Sequence, residues 1–189
     1  MVLEVVSKMV SSNPSLPTEV TAMATQAEQQ FLQIYLDQEL PFLLPVESLV
    51  EIMKVPIGQV VPMFQMAPWV MGVYNWRGEV LWMADLNHFL GLAPWYEQAE
   101  PTTKHTAVVI KSPRSTVQPG DKPALLGLIV SRAEGMISYP VEAIQPSAEK
   151  LEISSNFLPF LQGYYLEDAN APRLVLDGAA ILLAMSRAS

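Results

Sequence analysis

Proline and glycine cut this sequence into short apolar runs, with 16 prolines and 9 glycines in 189 residues. Prolines at 56, 62 and 68 divide one stretch into pieces too short for a long helix. Between the breaks lie runs with strand character. Phe31 to Leu36 (FLQIYL) and Leu40 to Leu44 are predicted to pair as a hairpin across Asp37-Gln38-Glu39. Pro45 to Ile52 leads into a third extended piece, whose alternation sets Leu49 and Glu51 on one side and Val50 and Ile52 on the other. Thr106 to Lys111 and Ala124 to Ser131 read as strands joined by a long exposed loop, Ser112 to Lys122. Further strands are expected at Gly135 to Ser138, Gly163 to Leu166 and Leu174 to Leu176, with a turn at Val141 to Ile144. Gly178 to Arg187 reads as a closing amphipathic helix with Ile181, Leu182 and Met185 on one face. Many short strands with few helices point to a barrel or sandwich, and the hairpins suffice for two small barrels.

The stretch Val70 to Leu92, VMGVYNWRGEVLWMADLNHFLGL, is the most informative. Two runs rich in β-branched and aromatic residues, Val70 to Trp76 and Val80 to Met83, meet across Arg77-Gly78-Glu79, where Gly78 can take the positive φ of a tight turn. Asp85 can then cap a short helix from Leu86 to about Leu90 that stops at Gly91. Between Val55 and Thr103, Arg77 is the sole Lys or Arg. It either points into water from the turn or reaches a carboxylate.

Half of the residues are hydrophobic and 16% are charged, so the chain can bury a core and still present apolar area to partners. A net charge of -8 without a basic cluster argues against nucleic acid as a partner. The absence of cysteine removes disulfides, zinc-thiolate sites and thiol nucleophiles. His88, read as a helix-surface residue, and His105, read as a loop residue before a strand, lack metal-ligand spacing. No G-x-S-x-G elbow occurs, and Glu134 with Glu142, or Glu167 with Asp168, reads as solvated loop charge rather than a catalytic pair. Neither an enzyme nor a metal or other cofactor is therefore expected. Without a signal-like start or a long apolar window, no direct membrane insertion is expected, and the chain reads as soluble and cytoplasmic. Residues 1–30, rich in Ser, Thr, Pro and Gln, read as a flexible extension ahead of a domain at 31–187. Methionines 53, 63, 66, 71 and 83 and tryptophans 69, 76, 82 and 95 fit core first and partner contact second.

Gly72, the Asn75-Trp76-Arg77-Gly78 turn, Asp85-Leu86 and Phe89-Leu90-Gly91 together resemble the CheW-like domain family. The resemblance extends to Phe31, Val46 to Ile52, Leu126 to Val130 and Leu174 to Leu183. It implies a mostly β fold of two five-stranded barrels sharing an apolar core. The implied function is that of a non-catalytic adaptor between chemoreceptor or photoreceptor signalling tips and the regulatory domain of a CheA-type histidine kinase, at receptor arrays. By the same resemblance Arg77 pairs with Glu51, partly buried, and Leu49, Glu51, Gly72, Asn75 and Arg77 are receptor-groove candidates. The kinase contact is expected on an exposed edge of the second barrel near Leu125 to Val130. Trp76, where the family usually has leucine, and the N-terminal extension suggest a branch serving twitching motility or phototaxis. The alternative, outside this resemblance, is a small β-barrel that encloses an apolar ligand.

Overall fold

The computed structural model describes residues 27–36, 41–97, 103–116, 118, 120–146, 151, 153–168 and 171–187. Most of the N-terminal extension and the turn at 37–40 lie outside them. The chain runs through β1 (Glu28–Tyr35), β2 (Pro41–Pro45), β3 (Leu49–Pro56), β4 (Val70–Trp76), β5 (Glu79–Asp85), the short helix α1 (Leu86–Phe89), β6 (Lys104–Lys111) and β7 (Leu125–Val130). It ends with β8 (Arg132–Pro140), β9 (Leu161–Asp168), β10 (Ala171–Leu176) and the helix α2 (Gly178–Arg187). Strand β1 begins three residues before the expected Phe31, because Glu28 to Gln30 continue the pairing with β8. Strand β8 is longer than the expected Gly135 to Ser138 for the same reason.

The strands form two five-stranded sheets, β8-β1-β2-β10-β9 and β3-β6-β7-β5-β4. Each closes through one bridge into a small barrel, a terminal one drawing on both ends of the chain and a central one built from its middle. In the central barrel Val61, beyond β3, exchanges two backbone hydrogen bonds with Val73 of β4, at 2.8 and 2.9 Å. In the terminal barrel Gln145, beyond β8, does the same with Tyr164 of β9, at 2.9 Å each. A glycine precedes each bridged strand residue. A Cβ on Gly72 (φ 136°) would overlap the Val61 carbonyl oxygen, and one on Gly163 the Gln145 carbonyl oxygen.

The two barrels share a topology. Elements β3, β4, β5, α1, β6 and β7 correspond to β8, β9, β10, α2, β1 and β2, including the parallel pairs β5–β7 and β10–β2. The helix entries also match. Asp85 and Asp177 each donate a backbone N–H at 2.8 Å, to the carbonyls of Trp69 and Phe160, and each carboxylate caps the helix that follows. No fixed-period repeat shows in the sequence because one copy is divided between the two ends of the chain.

Strand alternation sorts the apolar residues into three cores. Val55, Leu81, Met83, Ala107, Val109 and Ile129 fill the central barrel, and Phe31, Leu43, Tyr165 and Val175 the terminal one. The opposite faces meet in the largest core, which joins Leu32, Ile34, Phe42, Leu44 and Leu174 to Val108, Ile110, Leu126, Leu128 and Val130. Strands β6 and β7 are buried on both faces, which is why they read as unbroken apolar runs. This corrects the expectation of an exposed edge at Leu125 to Val130. Strand β7 lies mid-sheet between β6 and β5, with Leu126 to Val130 buried.

Candidate docking sites

The turn of the β4–β5 hairpin is tighter than its sequence suggests. Glu79 already belongs to β5, so the loop is Arg77-Gly78 alone, with φ 56° and 83°, two consecutive positive values as in a type I′ turn. Asn75 Oδ1 accepts from Gly78 N at 3.0 Å and stiffens the turn. The turn carries Arg77 to the mouth of the central barrel, where Glu51 emerges from β3 on the same side as Met53 and Val55.

One oxygen of Glu51 gathers two donors. Trp76 Nε1 donates to Oε2 at 3.0 Å and Arg77 Nη2 at 2.8 Å, with the guanidinium 4.9 Å from the indole centroid. The expectation of a partly buried pair needs correction, since the Arg77 side chain is 68% exposed and that of Glu51 31%. Desolvation is slight at such exposure, and the pair contributes on the order of 0.2 to 1 kcal/mol rather than a buried pair's several. Of the five candidates, Glu51, Asn75 and Arg77 meet at this mouth. Leu49 packs against the shared core, and Gly72 sits at the bridge that closes the barrel. Sequence reasoning missed the Trp76 indole as a second donor to Glu51.

None of the five lines the open cleft of about 880 Å³ between β5, β7 and α2. Its apolar wall includes Met66, Trp69, Trp82, Leu125, Leu182 and Leu183. On its flank Phe64 is 92% exposed at the tip of a loop in which Gln65 takes φ 61°. Among the described residues no group of acids and histidines could hold a metal ion, and no helix is long and apolar enough to cross a membrane.

The other end of the central barrel is plugged. The buried Asp85 carboxylate accepts from Asn87 N at 3.0 Å and His88 N at 3.3 Å, and its second oxygen takes Trp95 N at 2.8 Å. Burial raises the Asp85 pKa above the ordinary carboxylate value, and the three backbone donors pull the other way. They hold the 95–97 segment so that the Trp95 ring stands edge-on to His105, 4.6 Å between centroids. His105 is therefore not the loop residue expected. It lies in β6 with 3% exposure, and burial pushes its pKa down.

The CheW-like domain family model matches residues 30–185. The chain belongs to the CheW-like domain family. No curated protein matches it. Among solved structures, the crystal structure of the scaffolding protein TtCheW from Thermoanaerobacter tengcongensis aligns with a TM-score of 0.62 at 14% identity, covering 80% of this chain and 90% of that one. That likeness shows the fold. Membership of this family gives the chain the general role of a chemotaxis scaffold adaptor.

Proposed function

We propose that this protein is an adaptor coupling methyl-accepting-type receptor tips to the regulatory domain of a CheA-type histidine kinase, in chemotaxis, phototaxis or pilus-based motility. The observation that carries the reading is the central-barrel mouth. There the turn arginine meets the β3 glutamate at 2.8 Å, the pairing that the resemblance implies, and in this reading the pair holds the receptor-facing edge in register. Leu49, Glu51, Gly72, Asn75 and Arg77 remain the residues proposed for receptor contact, with Glu51, Asn75 and Arg77 touching the receptor and Gly72 keeping the barrel shut behind them. The adaptor works at membrane-associated receptor arrays without inserting into the bilayer. An enclosed apolar ligand is the weaker reading, since side chains fill both barrel interiors.

Co-sedimentation with a receptor signalling domain and a kinase regulatory domain, each alone and both together, tests the proposal. Binding to each and a three-component complex are expected; failure to bind either would end the adaptor reading.

A further inference from the structure

The cleft between β5, β7 and α2 does not end at its own walls. At Ser112, Pro113, Asp177 and Ala179 it opens into a second concavity, which meets a third at Glu47, and the third reaches Glu28, Gln30 and Val141 at the start of β1. A continuous furrow therefore leads from the head of the first strand to the apolar cleft. The head of that strand is fixed, because Ala27 O accepts from Val141 N at 2.9 Å. The chain ahead of Ala27 is thus bonded to the near end of the furrow. At the far end, two large apolar side chains of the cleft stand open to solvent, Trp82 at 38% and Leu183 at 53%.

The sequence ahead of β1 has two parts. Met1 to Val10, MVLEVVSKMV, has seven apolar residues and three polar ones, Glu4, Ser7 and Lys8. Their spacing of i, i+3 and i+4 gathers the three polar residues on one side of a helix and leaves the seven apolar ones on the other. A strand would split the same residues between both faces. Ten residues are too few to hold a helix in water, so the pattern needs an apolar surface to fold against. Ser11 to Gln26 follows, sixteen residues that include Pro14 and Pro17. Extended, they span about 50 Å, against a radius of gyration of about 15 Å for a domain of this size. Such a tether reaches the cleft by way of the furrow and keeps the apolar segment near it at an effective concentration on the order of millimolar. A membrane surface suits the segment less well. Interfacial helices carry Lys and Arg along the polar face, and this one has a single cation, Lys8, offset by Glu4.

We propose that Met1 to Val10 folds back on its own chain as a short amphipathic helix that occupies the cleft, its apolar side against Trp82, Leu125 and Leu183 and its polar side outward. The protein on its own is then self-covered, and any other protein that is to use the cleft has to displace this strap first. The inference goes beyond the adaptor reading and does not depend on it.

The chain has no cysteine, so a pair of introduced thiols reads this contact alone. Ser7→Cys borders the apolar side of the segment, and Ser186→Cys stands on the cleft wall. The control pairs Ser7→Cys with Met136→Cys, an exposed position on β8, the strand beside β1 and so close to where the segment is tethered. Full-length variants are oxidised with copper phenanthroline at low protein concentration, and loss of free thiols from the monomer is followed. The cleft pair is expected to close about tenfold faster than the control pair, and Leu3→Asp with Val6→Asp to erase the difference. Thermal melts accompany every variant, and Leu183→Cys replaces Ser186→Cys if the latter lowers the melting temperature. Equal rates for the two pairs overturn the strap, as does a difference that survives the two aspartates. Cross-linked dimers in place of closed monomers seat the segment on a second copy and overturn the fold-back. None of these outcomes bears on whether the chain binds a receptor or a kinase.

Discussion

Glu51 is held by two donors of different kinds, and the consequences can be separated by mutation. Arg77→Ala and Glu51→Ala in a double-mutant cycle are expected to couple by about 0.2 to 1 kcal/mol in stability, measured by denaturant melts, because the pair is open to water. Trp76→Phe keeps a ring beneath the guanidinium and removes the donor, and costs about 1 kcal/mol. His105 makes a pH prediction. Its folded pKa lies below the ordinary value near 6.5, so the unfolded chain takes up a proton first as pH falls, and stability drops from about that pH downward. The Asp85 shift is of opposite consequence: its folded pKa lies above 3.8, so protonation in acid favours the folded state and works against the loss. His105→Leu should therefore flatten the fall in melting temperature between about pH 7 and pH 5.5. An unchanged slope would show that His105 is not its source. Residues of this sort were only half legible in the sequence. The Asp85 cap could be read because it is local; the plug of Trp95 on His105 could not, because it depends on where the chain after α1 returns.

At the scale of elements, the hairpins and caps were legible because they are set by neighbours in sequence. The β4–β5 turn, the α1 cap and the face of α2 that buries Ile181 and Met185 all follow from local pattern. The expectation that Leu49 and Glu51 share one side of β3 fails, because the bulge between them turns Leu49 to the shared core while Glu51 stays with Met53 and Val55. What the pattern could not give was strand order. The exposed edge that the resemblance implied near Leu125 to Val130 falls on β7, which lies mid-sheet, and an apolar run alone does not tell a central strand from an edge. Gly72 shows the same limit. A glycine at a family position suggested a contact residue, and the structure gives it the task of admitting the Val61 carbonyl. Gly72→Ala is expected to destabilise by about 2 to 4 kcal/mol, through both its φ of 136° and the lost bridge. A melting temperature within error of wild type would mean that the bridge is dispensable. Asp177→Ala should cost about 1 kcal/mol by uncapping α2, a loss readable by chemical denaturation.

Taken as a whole, the molecule is one topology used twice and joined through a common core. Family membership and the paired sheets were reachable from the residues around Arg77, whereas the repeat was not, since it emerges only when β1 is laid beside β8. That pairing also bears on how the protein is made. The central barrel lies in one unbroken segment, from Leu49 to Val130, and can assemble as soon as that segment leaves the ribosome. Its neighbour must hold β1 and β2 in waiting until β8 to α2 have been synthesised, with their apolar faces uncovered for the interval. A nascent chain stalled after β7 would thus display half a barrel, and those first two strands are where chaperone capture or misassembly during translation would begin.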